Sequence, residues 1–257
     1  AIDDDYSNGA RFEYLFDNAC GVAFGQSMYT PPDITIEEDQ PGKREYAGYL
    51  YLEGNYRRKP TEFGALQIGF VGKNSLAEQT QKIVHKWIDS RDPKGWDNQI
   101  EGHGIEAQAY YKWMWYLIES DWYYLCPFMT ISGGSINAMA TPGIFNYFCF
   151  NYVPSYLQGL PITETRGIDE NFSKLSSWIP AVYAFVGAEC DMVAYNYFLD
   201  ASESTVDKEY FVGEFSVGIG IQVKRFLGKF TYIFRTKEYE EQENLAHFGA
   251  ISLGWVF

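Results

Sequence analysis

The chain has 257 residues, with 20 Lys and Arg against 34 Asp and Glu, for a formal net charge of −14. That length allows one large domain or two small ones, and an 18% aromatic share beside 21% charged residues excludes a disordered chain. The acidic balance excludes a nucleic-acid-binding surface, because neutralising phosphates needs an excess of Lys and Arg.

In chain order, Ala1-Ile2-Asp3-Asp4-Asp5 reads as a polar loop with no signal peptide, so a mature or trimmed form is expected. Ala10 to Asp17 then alternates, with Phe12, Tyr14 and Phe16 opposite Arg11, Glu13 and Asp17. Strands are expected at 8–17, 20–29, 45–57 and 61–72. A helix follows at 75–90, then strands at 103–118, 122–133, 142–154, 178–198, 209–224, 229–239 and 246–257. In the fifth strand Tyr111, Trp113, Trp115 and Leu117 share one side, while Glu106, Gln108, Tyr110, Lys112 and Tyr116 share the other. Phe211 to Val223 sets Phe215, Val217, Ile219 and Ile221 against Glu214, Ser216, Gly218 and Gly220. The last strand sets Ile251, Leu253, Trp255 and Phe257 against Ala250, Ser252 and Gly254. Cys20, Cys126, Cys149 and Cys190 are scattered without a C-x-x-C, so neither a zinc knuckle nor a disulfide scaffold is indicated.

The longest uncharged run, 122–163, is broken by Pro127, Gly133, Gly134, Pro142 and Pro154, which suits strands and turns rather than a spanning helix. A soluble sandwich hides its bulky face and shows charges outside. Here the face opposite the bulky one carries Gly, Ser and isolated polar groups, the filling of a narrow barrel whose apolar face meets lipid. Trp113, Trp115, Tyr116, Trp122, Tyr123 and Tyr124 flank the turn Glu119-Ser120-Asp121, where an interfacial aromatic girdle would sit. The expected fold is therefore all-β: a single antiparallel transmembrane barrel over 1–257. Eleven strands are readable, and bacterial barrels have even numbers. A twelfth is expected before Ala1, unless 178–198 splits in two. Outward loops are expected at the N-terminus, 30–44, 73–102, 134–141, 199–208 and 240–245.

The helix begins with Ser75-Leu76-Ala77-Glu78, which reads as a capping box. Leu76, Ile83, Val84, Trp87 and Ile88 form an apolar side, and the helix is expected to pack on the barrel rim. Gln81, His85 and Asp89 share a stripe at i, i+4 and i+8. His85 is either a general base or a surface residue held by Gln81 or Asp89; His103 and His247 are isolated. Asp3-Asp4-Asp5 and Glu37-Glu38-Asp39 offer oxygen ligands for Ca²⁺ or simply solvated acidic loops. No nucleotide-binding loop or common hydrolase motif is present.

Several blocks resemble the LpxR-type lipid A 3′-O-deacylase family: Tyr6-Ser7-Asn8-Gly9, Gly25-Gln26-Ser27-Met28-Tyr29-Thr30-Pro31, Arg44-Glu45-Tyr46-Ala47-Gly48-Tyr49-Leu50, and Gly69-Phe70-Val71-Gly72. The most specific part is Gln81-Lys82-Ile83-Val84-His85 followed by Gly95-Trp96-Asp97-Asn98-Gln99-Ile100. The resemblance covers most of 5–117 and continues as barrel pattern to Phe257. It implies a 12-stranded barrel in the outer membrane of a Gram-negative bacterium, with its active site at the extracellular rim between wall and loop helix. It also implies Ca²⁺-dependent hydrolysis of lipid A in lipopolysaccharide. His85 becomes the general base, Gln81 its neighbour and Ser7 a further site residue. Asp4 and Asp5 become candidate Ca²⁺ ligands, and a monomer is expected. Three departures stand out. The family's Asn-Asp pair on its first strand has no counterpart. Its loop Lys falls at Ile36, with Lys43 or Arg44 as candidate phosphate-binding replacements. Its acidic residue after the helix falls at Arg91, with Asp89 or Asp92 nearby. The competing reading is a non-catalytic barrel of the same scaffold, structural or lipid-binding.

Overall fold

The structure, a computed structural model, describes residues 8–16, 20–59, 61–151, 180–201 and 204–255. One antiparallel sheet contains β1 (Asn8–Leu15), β2 (Cys20–Tyr29), β3 (Ala47–Lys59), β4 (Glu62–Val71), β5 (Glu106–Met114) and the two-residue β6 (Ile118–Glu119). It continues through β7 (Tyr123–Gly134), β8 (Asn137–Phe150), β9 (Ala181–Asn196), β10 (Phe211–Val223), β11 (Phe226–Arg235) and β12 (Ala246–Trp255). Each long strand pairs with its chain neighbour, β6 pairs with β7 at the sheet's side, and β1 and β12 are the two edges. The eleven strands expected from alternation are the eleven long strands observed. The 178–198 segment does not split, since β9 runs unbroken from Ala181 to Asn196.

Among the described residues no second layer covers the inner face of this sheet, yet that face is largely buried in every long strand but β1 and β12, so the sheet must curl on itself. Cross-barrel packing demonstrates the curl: Tyr29, Tyr49, Tyr51 and Val71 of β2–β4 share a cluster with Met139, Val193 and Val212 of β8–β10. The outer face carries Phe12, Phe24, Leu52, Ile68, Phe215, Ile219, Phe230 and Ile251, all exposed. That is the apolar-out pattern of a wall solvated by lipid.

Inside, polar groups are buried as mutually satisfied sets. Arg11 binds Glu13 at 2.8 Å and Glu53 at 2.7 Å, Arg57 reaches Glu13 at 2.7 Å, and Gln67 donates to Glu53 at 2.9 Å. The other half of the lumen is aromatic, built on Phe128, Phe145, Tyr147, Tyr183 and Phe185. These rings fit because inward glycines on the next strand leave room. A Cβ on Gly187 would strike the Phe145 ring, and one on Gly218 the Phe185 ring. The interior is thus bulkier than the small residues and paired charges expected from the sequence.

Several boundaries differ from expectation, three of them with a visible cause. β8 begins at Asn137 rather than 142, and the expected 134–141 loop shrinks to a tight turn. There, Gln108 Oε1 accepts from the backbone N–H groups of Ile136 and Asn137 at 3.2 and 3.0 Å. β11 begins at Phe226, directly after a turn through Lys224, whose φ is 53°. β5 ends at Met114; beyond it Trp115 and Leu117 donate to the carbonyls of Pro127 and Leu125 until β6 resumes the ladder. The girdle is present at this end: Trp113 and Trp115 meet edge-on at 6.1 Å, and Trp122 stacks on Phe148 at 6.4 Å.

Candidate active site

The long loop between β4 and β5 carries a 3₁₀ turn (Gly72–Ser75), α1 (Ala77–Ile88) and a second 3₁₀ turn (Gly95–Asn98). This loop folds over the outside of the wall. On β2 and β3 the even-numbered side chains point outward, and Val22, Phe24 and Leu52 are exposed, but Gln26, Met28 and Gly48 are buried. What covers them is the helical loop. Met28 packs with Tyr46, Ala77 and Trp96, and Gln26 Nε2 donates to the Ser75 carbonyl at 2.6 Å. A Cβ on Gly48 would collide with Ser75 Oγ and Ala77 Cβ, so only glycine lets the helix lie this close to the strand.

The helix turns its polar stripe, not its apolar side, to the wall. Ala77, Gln81 and His85 are buried against the wall side, whereas Leu76, Ile83, Trp87 and Ile88 are exposed. Asp89 leaves the stripe, because it ends the helix in the left-handed region with φ 54° and is exposed. The expected capping box does not form. Leu76 occupies the N-cap with φ 57° and no side-chain cap, while Ser75 is turned in against Gly48.

Within the buried stripe the chemistry is specific. His85 Nδ1 lies 2.5 Å from the Arg91 carbonyl oxygen. A carbonyl only accepts, so Nδ1 carries the proton and Nε2 carries the lone pair. Trp96 Nε1 lies 2.7 Å from Gln81 Oε1. An indole N–H only donates, so this contact fixes the Gln81 amide with its oxygen toward Trp96 and its NH₂ turned away. That buried Nε2 has no hydrogen-bond partner among the described residues. Trp96 is itself held by the Tyr46 ring at 4.9 Å, and the segment is tied down by Ile100 N–H to the Tyr46 carbonyl at 2.8 Å. The site thus holds an imidazole oriented through Nδ1 and, one helical turn away, an unsatisfied amide donor.

Lys43 and Arg44 are engaged with the loop between β11 and β12. Lys43 pairs with Glu243 at 2.5 Å; Arg44 is buried, pairs with Glu238 at 2.7 Å and lies 4.3 Å over the Tyr29 ring. The Lys43 hydrogen bond lowers the Glu243 carboxyl pKa. Burial alone would raise Glu238, but Arg44 and Arg235 together hold it below its usual range. Neighbouring Glu45 is pushed up to about 7 by burial and by Asp39. Ser7, Asp4 and Asp5 lie outside the described residues. Among the described residues no group of three or more His, Cys, Asp or Glu is gathered to hold a metal, so these residues alone do not form a Ca²⁺ cage.

Two site features carried no assignment from the sequence. Trp96 had a signal, the Trp-x-x-Gln block, but its hydrogen bond to Gln81 emerges only in three dimensions. The Arg91 carbonyl had none, since every residue has one.

The sequence matches the family described as Outer membrane protein LpxR over residues 1–257. The fold is similar to that of LpxR from Salmonella typhimurium, with a TM-score of 0.80 and 19% identity, covering 98% of this chain and 90% of that one. No curated protein shows a match.

Proposed function

The chain belongs to the outer membrane protein LpxR family, and from that premise we propose that it hydrolyses the 3′-linked acyloxyacyl ester of lipid A at the extracellular rim, acting as a monomer. The observation that carries this reading is the buried Gln81–His85 pair, with one ring nitrogen fixed on the Arg91 carbonyl and one amide donor left unsatisfied. His85 Nε2 takes a proton from water, and the resulting hydroxide attacks the ester carbonyl carbon. The imidazolium that forms is stabilised by the hydrogen bond from Nδ1–H to the Arg91 carbonyl. Gln81 Nε2–H donates to the oxygen on which negative charge develops. Collapse of the tetrahedral species breaks the C–O bond to the sugar. The departing alkoxide takes the proton back from His85, giving a free fatty acid and a sugar hydroxyl. Ca²⁺, when bound, would polarise the ester carbonyl, with Asp4 and Asp5 as sequence candidates for its oxygen ligands.

The test is purified protein with lipid A and Ca²⁺ in detergent, read by mass spectrometry. The wild type should shed the acyloxyacyl group, and His85→Ala or EDTA treatment should abolish the loss. Release that survives His85→Ala removes the base assignment, and release that survives EDTA removes the metal. A wild type that releases nothing favours the non-catalytic scaffold.

A further inference from the structure

The reversed helix calls for a solvent other than water. A surface helix in water turns its apolar stripe inward and its charges outward, yet α1 buries Gln81 and His85 and exposes Leu76, Ile83, Trp87 (82% exposed) and Ile88. The exposed stripe also continues an apolar surface. Phe70, exposed on the outer face of β4, lies just before the 3₁₀ turn that leads into the helix and pairs in register with Leu50 of β3. Phe24, exposed on β2, is two residues below the covered Gln26, about 7 Å along the strand.

Depth agrees. β2 has ten residues; at about 3.4 Å each and a tilt of roughly 40° it rises about 25 Å, the height of the apolar band of an outer-membrane barrel. The whole of β2, its upper part under the helical loop included, thus fits within a band of that height. Lys82 and Lys86 are exposed beside the apolar stripe on stems long enough to reach headgroup phosphates. Lys82 is additionally held by Glu78 at 2.5 Å.

We propose that α1 is immersed in the outer leaflet, with Leu76, Ile83, Trp87 and Ile88 among lipid acyl chains and the Gln81–His85 face turned back to the barrel wall. The occupant of this surface is the hydrocarbon of the leaflet. Taken with the hydrolase reading, on which this one consequence rests, an ester at leaflet depth reaches His85 by sideways movement without leaving the membrane.

The experiment reads Trp87 directly and requires no turnover, so it is independent of the hydrolase reading. Wild type and Trp87→Phe are reconstituted in phosphatidylcholine vesicles with and without mid-chain brominated lipid, and the difference in their tryptophan emission isolates Trp87. The difference emission should be blue-shifted, lose most of its intensity to brominated lipid and resist aqueous iodide. Difference emission quenched by iodide and indifferent to brominated lipid would overturn the proposal. The pair Ile83→Lys with Ile88→Lys gives a second reading on a barrel whose wall is untouched: Trp87 emission should shift red. An unchanged spectrum in that variant also overturns the proposal.

Discussion

Trp96 and Gln81 are joined by one hydrogen bond, indole Nε1 to amide Oε1 at 2.7 Å, with both side chains almost fully buried. The bond acts on orientation: without it, the amide can turn over and present oxygen where the developing oxyanion needs a donor. Trp96→Phe keeps a smaller ring against Tyr46 and removes the donor. We expect kcat to fall by about 10- to 100-fold with KM nearly unchanged, because the Gln81 contact strengthens as charge develops rather than in the ground state. Steady-state kinetics on lipid A check this. A rise in KM with kcat intact would show that Trp96 serves only binding or packing.

Gly48 governs whether the helix can lie on the wall at all. Gly48→Val introduces a side chain where Ser75 and Ala77 already sit, while β3 itself accepts valine readily. The barrel should form, with unchanged thermal melting and strand content. The helical loop should lift, costing about 1–3 kcal/mol locally, and deacylation should drop to the level of His85→Ala. Hydrogen exchange over 72–100 would show the lift. Full activity with protected amides in that segment would contradict the packing described.

The wall was legible because alternation survives any change of solvent: Phe12, Tyr14 and Phe16 share a face whether water or lipid lies beyond it. The helix was legible as an element, but which face meets the wall was not legible from its amphipathicity, since an inward apolar side is the rule only where water lies outside. The start of β8 was hidden because Asn137, Ala138 and Ala140 carry little β signal. What closes that turn is Gln108, some thirty residues earlier in the chain. The His85–Gln81 spacing could be read from i, i+4, but the tautomer could not, because it depends on a backbone carbonyl brought round by the left-handed residue Asp89.

Glu45 gives the loop cluster a pH dependence of unusual sign. Its carboxyl is buried and faces the field of Asp39, which together raise its pKa from 4.5 to about 7. The folded protein therefore holds this proton more tightly than the unfolded chain does, so protonation favours folding. Below about pH 4.5 the group imposes no penalty. As pH rises from there to about 7 the penalty grows, and above 7 it is constant, roughly 1–3 kcal/mol. Glu45→Gln removes the ionisable group at nearly equal volume. Melting in detergent should show the variant more stable than the wild type at pH 8, with the difference vanishing as pH falls toward 4.5. The opposite trend, a variant that loses ground as pH rises, would mean that Glu45 is ionised and paired in the folded state.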